Sequence, residues 1–257
     1  MSEKIKDVAA FIEELAPLNT AEVWDNCGWQ VLCGDVEVKK VLVCLSVTNE
    51  VVDKAIAEGY EVIVSHHPII FKGIKSVMPI NLTGQVVLKA IKNDISIYSA
   101  HTNLDKVEGG INDLLAKMLN LKDVEPIIPE KYNNKIGMGR IGVLDTPVKI
   151  EDLVSDLKQK LELDTLKVIN MSEVEIKKVA ICGGAGASLI EYLPLDVDLF
   201  ITGDVKYHEA LETLNFVLID ANHNNTEQII VDKLKSYLSN LDIEVESVKS
   251  GNPWLVM

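Results

Sequence analysis

The alternation of strand-like and helix-like segments constrains the fold of this chain more than any other feature. Residues 39–47 read KKVLVCLSV, a β-branched run typical of a buried strand. Thr48 can cap the helix that follows, Gly59 can end it, and YEVIVS then predicts a second strand. A strand, a helix and a strand in this order predict a βαβ unit, with parallel strands and a right-handed crossover.

The same alternation continues along the chain and predicts an α/β fold. Further strands are predicted near 95–100, 137–144, 165–170, 177–182, 197–202, 216–220 and 243–249, and further helices near 5–15, 84–93, 109–119, 149–161, 187–193, 205–214 and 225–239. Residues 122–136 hold two prolines and two asparagines, which favours a domain boundary there. We therefore expect one domain over residues 1–126 and a second over residues 127–257, with C-terminal elements that can pack back on the first.

Composition and charge exclude several classes of protein. The chain has 257 residues, of which 47 % are hydrophobic, so wholesale disorder is excluded. A net charge of −14 argues against nucleic-acid partners and anionic membranes, because phosphates would be repelled. The N-terminal segment lacks the apolar core of a signal peptide, and no apolar run approaches the roughly 20 residues of a spanning helix. We expect a cytoplasmic protein whose four cysteines are reduced thiols rather than zinc ligands.

All five histidines follow the carboxyl ends of predicted strands, where open α/β sheets bind ligands. They are His66, His67, His101, His208 and His223. Asp105 lies four residues after His101, and Glu227 lies four residues after His223. A single histidine at a strand end is usually only a polar loop residue, and the spacing HxxxE is common by chance. The joint pattern, however, favours a metal site.

Imidazole nitrogens and carboxylate oxygens suit zinc, iron, manganese or cobalt, and the sequence does not choose among them. Glu227 or Asp105 can bridge two ions, because a carboxylate has two oxygens. Two metal ions about 3.5–4 Å apart can generate hydroxide and bind an oxyanion.

Six short stretches carry a resemblance to a known family. They are WDNCGWQ (24–30), SHHP (65–68), SAHTNLD (99–105), GGIN (109–112), ITGDVKYH (201–208) and DANH (220–223), the last leading to Glu227. In this order they resemble the NGG-interacting-factor-three-like family, whose bacterial and archaeal members are often labelled GTP cyclohydrolase I type 2 homologs. The family usually has Gly at the position of Asn222. Asn tolerates left-handed backbone better than most residues, so the turn can survive.

The resemblance implies a dinuclear metal site. His66 and Asp105 would hold one divalent ion, His67 and His223 the other, and Glu227 would bridge them. His101 and His208 would lie near the metals, either behind the ligands as supporting groups or as catalytic acid or base groups. The first domain would thus carry His66, His67, His101 and Asp105, and the second His208, His223 and Glu227. The resemblance also implies two interlinked α/β domains and a toroidal homohexamer, in the short form that lacks an inserted middle domain.

These features predict a metal-dependent hydrolase that acts through metal-bound hydroxide, with His101 or His208 moving protons. GTP is the substrate that the family label suggests, and another nucleotide, phosphoester or cyclic amide fits the chemistry equally. The alternative is a non-enzymatic hexameric metal-binding scaffold or regulatory protein. A nucleic-acid-binding ring is disfavoured by the charge.

Two further segments leave alternatives open at this point. The turn Gly183–Ser188 has no Walker A order, and it can be either a tightly packed turn or an anion contact at a helix start. Residues 24–26 (Trp-Asp-Asn) can anchor a loop, and the resemblance implies the alternative that they line the metal cavity.

Overall fold

The structure, a computed structural model, describes residues 3–171, 175–213, 215–249 and 251–254. It divides into two compact units. Unit 1 comprises Met1–Leu104 and Ile230–Met257, and unit 2 comprises Asp105–Ile229. Strands and helices alternate in both units, which confirms the predicted α/β class.

Strands and helices occur in the following order. The chain begins with β1 (Glu3–Lys4), α1 (Ile5–Leu15), a 3-10 turn (Leu18–Thr20), β2 (Gly28–Val31), β3 (Glu37–Val38), β4 (Lys40–Cys44), α2 (Asn49–Glu58), β5 (Val62–Ser65), α3 (Leu82–Lys92), β6 (Ser96–Ser99) and α4 (Thr102–Lys106). It continues with α5 (Ile111–Met118), β7 (Lys122–Glu125), β8 (Ile128–Glu130), β9 (Asn133–Met138), β10 (Arg140–Lys149), α6 (Ile150–Lys160), β11 (Lys167–Ile169), β12 (Glu175–Ile181), a 3-10 helix (Ala187–Tyr192), β13 (Leu199–Thr202), α7 (Tyr207–Glu212), β14 (Val217–Asp220) and α8 (His223–Glu227). It ends with α9 (Ile229–Leu238) and β15 (Glu244–Val248).

The main sheet of unit 1 has the strand order β15-β4-β5-β6-β2. Strand β4 is parallel to β5 and β15, β5 is parallel to β6, and β2 closes the edge as an antiparallel strand. Val41, Leu42 and Val43 are all fully buried, as expected for a central parallel strand that is covered on both faces. Ser65 and Ser99 pair at the carboxyl ends of β5 and β6, so the residues after these two strands start from adjacent positions.

Helix α2 has the two end signals that the sequence predicts. The Thr48 hydroxyl accepts a hydrogen bond from the Val51 amide at 3.3 Å. Gly59 adopts a left-handed backbone with φ of 72°, a conformation that glycine accepts without strain. The βαβ unit predicted from residues 39–65 is therefore present, with β4 and β5 parallel.

The main sheet of unit 2 has the order β11-β14-β13-β12-β10-β7. Its centre is parallel, because β13 pairs in parallel with both β12 and β14, while β10, β7 and β11 are antiparallel to their neighbours. Thr202 and Asp220 pair at the carboxyl ends of β13 and β14. Phe200, Ala180 and Leu218 lie in the buried core of this unit.

The observed division of the chain differs from the predicted domains 1–126 and 127–257. Residues 122–136, predicted to hold the boundary, instead form β7, β8 and part of β9. Glu125 of β7 pairs with Ile141 of β10, which builds this segment into the sheet of unit 2. The prolines of this segment do not mark a linker. Pro129 lies in the two-stranded sheet of β8 and β9, where a residue without an N–H group is tolerated. The C-terminal strand β15 lies in the sheet of unit 1, paired with β4 from Glu244 to Val248.

Among the residues that the structure describes, no helix combines the length and apolar character needed to cross a membrane.

Candidate metal centre

In unit 1, β5 delivers two consecutive histidines at its carboxyl end. The His66 amide donates to Cys44 O at 3.2 Å and the His67 amide donates to Leu45 O at 2.9 Å. The backbone hydrogen bonding between β5 and β4 therefore extends beyond β5 to both histidines. The hydroxyls of Ser65 and Ser99 lie 2.7 Å apart, and that of Ser65 also donates to His67 O at 2.9 Å. Ser65 therefore stabilises the turn that carries the two histidines.

The ring of His66 is fully buried and held in one orientation. Its Nδ1 atom lies 2.8 Å from the carbonyl oxygen of Ala100. A carbonyl only accepts hydrogen bonds, so the proton of neutral His66 is on Nδ1 and the lone pair is on Nε2. This tautomer is the one in which a histidine binds a metal through Nε2. The Nδ1 atom of His67 lies 2.7 Å from Ser46 Oγ.

His101 completes a group of three imidazoles in unit 1. Its ring centroid lies 5.0 Å from that of His66 and 5.7 Å from that of His67. One potential ligand atom from each of the three lies within 4.8 Å of the others. Three clustered imidazoles suit borderline transition metals better than magnesium or calcium, which prefer oxygen ligands. The donor set of unit 1 therefore fits the predicted kind of ion.

The Nδ1 atom of His101 lies 2.9 Å from the carboxylate of Asp25. Burial acts to raise the pKa of Asp25, but hydrogen bonds from His101 and Thr102 outweigh it and hold that pKa well below its usual range. Asp25 therefore stays ionised. It belongs to the segment 24–26, so this segment borders the histidine group rather than only anchoring a loop.

In unit 2, helix α8 carries His223 and Glu227 one turn apart. Glu227 Oε2 lies 3.0 Å from His223 Nε2, and Asp204 Oδ2 lies 2.8 Å from His223 Nδ1. Burial acts to lower the pKa of His223, but the hydrogen bonds and charges of Glu227 and Asp204 outweigh it and raise the pKa to about 9. The ring therefore carries both protons at neutral pH, and a metal ion on Nε2 must displace one.

Asn222 allows α8 to start at His223. Its φ is positive, at 68°, and its side-chain oxygen accepts a hydrogen bond from the Asn224 amide at 3.1 Å. Its ψ of 138° places it outside the left-handed helical region that asparagine tolerates, so the side-chain hydrogen bond, and not that tolerance, is the feature that supports asparagine at the position where the family usually has glycine.

The glycine-rich turn after β12 packs against the α8 pair. A Cβ atom added to Gly184 would lie 2.1 Å from Glu227 Oε1 and 3.4 Å from His223 Cε1. Its backbone amides are also engaged, because those of Gly183, Gly184 and Gly186 donate to side-chain oxygens of Asn112, Thr226 and Thr202. Close packing therefore describes the glycine part of this turn, because these three amides already donate to side-chain oxygens of the protein.

The remaining predicted site residues in unit 2 are Asp105 and His208. Burial and then the charges of Asp105 and Glu227 raise the pKa of the Cys182 thiol, so both carboxylates lie within electrostatic range of that sulfur. His208 lies exposed on α7, with its ring against Tyr207 at a centroid distance of 5.3 Å. Within the described part of the chain, no ring contact or ion pair joins His208 to His223 or Glu227.

Sequence reasoning missed the groups that hold the Nδ1 atoms, namely Ser46, Ala100, Asp25 and Asp204. Asp25 and Asp204 lie within the stretches WDNCGWQ and ITGDVKYH, so their place in these motifs is the sequence signal that could have identified them.

Unit 2 also has an open cleft of about 530 Å³, lined in part by Lys117, Lys122 and Arg140. Among the residues that the structure describes, no histidine lines this cleft, so the candidate site is identified by its imidazoles and not by cavity size.

Comparison with known proteins agrees with the resemblance. The chain belongs to the Duf34/NIF3 (NGG1p interacting factor 3) family, whose sequence profile matches residues 3–253. A relative from Clostridium perfringens, named GTP cyclohydrolase 1 type 2 homolog, is 33 % identical over 253 residues and is covered to 96 %, as is this chain. A relative of the same name from Methanocaldococcus jannaschii is 36 % identical, with 95 % of this chain and 99 % of that protein covered.

Solved structures show the same fold. The crystal structure of Staphylococcus aureus protein SA1388 superposes with a TM-score of 0.91 at 31 % identity, and all of both chains is covered. Reduced HcgD from Methanocaldococcus jannaschii superposes with a TM-score of 0.84 at 32 % identity, covering 96 % of this chain and 98 % of that one.

Replacing Gly184 by alanine should displace the Glu227 carboxylate, because the new methyl group would overlap its Oε1 atom. We expect metal affinity to fall about 10- to 100-fold, as measured by competition with a chelator. The matched control is Gly59→Ala, which has a similar φ of 72° and nothing within 4 Å of the added carbon. Both variants should lose about 1 kcal/mol of stability through backbone strain. Equal metal affinity in the two variants would contradict this role for Gly184.

The raised pKa of His223 predicts a pH dependence of the metal-free protein. A raised folded-state pKa contributes stability that is fully present below the unfolded value of about 6.5 and is lost as pH rises through about 9. Asp204→Asn should lower the pKa of His223 and reduce this loss. NMR titration and urea unfolding between pH 6 and pH 9, with a chelator present, measure both effects. Asp196→Asn, which removes an exposed ion pair with Lys178, serves as the control and should leave the His223 titration unchanged.

Proposed function

We propose that the protein binds two divalent transition-metal ions and acts as a metal-dependent hydrolase. The proposed ligands are His66, His67, Asp105, His223 and Glu227. The observation that carries this proposal is the way in which His66 and His223 are held. In each, Nδ1 donates to a backbone carbonyl or a carboxylate, an arrangement that commonly supports metal-binding histidines. The family membership of the chain adds independent support.

Two divalent ions, when bound, lower the pKa of a coordinated water and stabilise a developing oxyanion. The residues of this chain would supply the rest. His101, on the same side of unit 1 as His66 and His67, would take up a proton from the attacking water and return it to the leaving group. His208 would act as a second proton carrier.

A nucleotide is the proposed substrate class. The Clostridium perfringens and Methanocaldococcus jannaschii relatives, which are 33 % and 36 % identical, carry the name GTP cyclohydrolase 1 type 2 homolog, which points to a guanine nucleotide. The net charge of −14 would repel such an anion, so the bound cations would provide the attraction. We place the protein in the cytoplasm, a location that its four free thiols support.

An alternative proposal is a hexameric metal-binding scaffold or regulatory protein. The exposed apolar side chains of the segment between β5 and α3 favour protein–protein contact, for example Phe71, Met78 and Ile80, the last 73 % exposed. A toroidal homohexamer would cover such side chains with further copies of the chain. Hexamer formation suits both proposals, so hydrolytic turnover is what separates them.

Elemental analysis tests the metal proposal. Protein purified without chelators should contain about two transition-metal ions per chain, and His67→Ala or Glu227→Ala should lower that number. His208→Ala is the control, because this residue is exposed and outside the proposed ligand set, and it should leave the metal content unchanged. Wild-type protein without metal above background would overturn the proposal.

Assays of the metal-loaded protein with GTP and other nucleotides test the hydrolase proposal. Turnover that chelation abolishes and metal restores supports it. Full metal content without turnover of any nucleotide, phosphoester or cyclic amide would instead favour the scaffold.

A further inference from the structure

Asp25 is a buried carboxylate that neither the predicted ligand set nor the predicted catalytic pair contains. Its side chain has no solvent exposure, whereas the flanking residues Trp24 and Asn26 are exposed. Burying a carboxylate is unfavourable unless it is well hydrogen-bonded. This one receives hydrogen bonds from the Asn26 amide, from the Thr102 amide and hydroxyl, and from Nδ1 of His101.

The segment that carries Asp25 is itself held firmly. The side-chain amide of Asn26 donates to the carbonyl oxygen of Ile70 at 2.6 Å, and the side chain of Gln30 donates to Asn26 O at 2.7 Å. The thiol of Cys27 lies 3.1 Å from both Asp25 Oδ2 and Asn103 Oδ1. These contacts fix the position of the carboxylate relative to the chain around residue 102.

The two oxygens of Asp25 have different neighbours. Oδ2 accepts both hydrogen bonds from Thr102, which would suffice to tether the segment. Oδ1 accepts from His101, whose ring is edge-on to that of His66 at a centroid distance of 5.0 Å. An ionised carboxylate only accepts hydrogen bonds, so neutral His101 must carry its proton on Nδ1. The lone pair is then on Nε2.

We infer that Asp25 is a positioning residue that fixes the ring and the tautomer of His101, so that Nε2 is the atom that accepts a proton. The inference rests on the proposed hydrolysis. In that reaction an O–H bond of the attacking water breaks and its proton goes to Nε2, while the oxygen bonds to the substrate. The imidazolium, stabilised by Asp25, then gives its proton to the leaving group.

The test compares Asp25→Asn with Thr102→Val. Asparagine keeps the size of the side chain but removes the charge, and valine removes the tethering hydroxyl while the carboxylate remains. In metal-free protein labelled with ¹⁵N-histidine, His101 should show a protonated Nδ1 in the wild type and in Thr102→Val. Asp25→Asn should show a mixture of both tautomers. The His101→Gln spectrum assigns the signals.

In metal-loaded protein, Asp25→Asn should keep the metal content and KM of the wild type but lower kcat about 10²- to 10⁴-fold. Thr102→Val should retain much more activity. Equal losses of kcat in the two variants would show that Asp25 only anchors its segment, and would overturn the inference. So would wild-type His101 with its proton on Nε2, a result that does not require Asp25→Asn to fold.

The two proposals fail in different ways. If the wild-type protein binds no metal or shows no turnover, the hydrolase proposal is overturned. The His101 tautomer can still be measured in the spectra of the metal-free protein. If the His101 tautomer is the same in the wild type and in Asp25→Asn, the present inference is overturned, whereas metal binding and turnover are unaffected.

Discussion

The candidate centre depends on the parallel pairing of adjacent strands within each unit. In unit 1, β5 and β6 end in register at Ser65 and Ser99, and the chain leaves both strands at the same edge. His66, His67 and His101 follow directly from those two ends. In unit 2, β13 and β14 end in register at Thr202 and Asp220, which places Asp204 near His223. Strand register, set by buried β-branched runs, thus determines which polar residues can meet.

A second common feature is how the imidazole rings are oriented. In four of the five histidines, Nδ1 lies within hydrogen-bonding distance of a carbonyl, a hydroxyl or a carboxylate. These four are His66, His67, His101 and His223, and the acceptor comes from a neighbouring strand end or from a distant loop. Where a carboxylate is the acceptor, as for His101 and His223, it favours a protonated ring nitrogen at that position. The acceptor therefore decides the chemistry of the opposite nitrogen, and the same residue type can have different roles within one protein.

Much of the fold could be predicted from local sequence. The β-branched run 39–47, the cap at Thr48 and the left-handed Gly59 each act over a few residues, and all three appear in the structure as expected. The positions of the histidines at strand ends followed from the same alternation. The single predicted helix 225–239 is instead two, α8 and α9.

The features that could not be predicted depend on residues far apart in the chain. Asp25 meets His101 across 76 positions, and no spacing rule connects them. Strand β2 reads GWQV, too short and too polar to predict a strand without its partner β6. Residues 122–136 look like a linker from composition, yet their pairing with β10 and between β8 and β9 makes them strands. In β2 and in residues 122–136, pairing with a neighbouring strand overrides the local preference of the sequence.

The discontinuity of unit 1 has a consequence for how the protein is made. Strand β15 pairs with β4 although Glu244 and its partner Lys40 are separated by about 200 residues, whereas unit 2 is continuous. During synthesis from the N-terminus, every segment of unit 2 leaves the ribosome before β15 does. Until then, one side of β4 has an unpaired edge of apolar strand, which is the kind of surface that nascent chains use to associate wrongly. This topology thus allows unit 2 to be complete while the sheet of unit 1 still lacks its last strand.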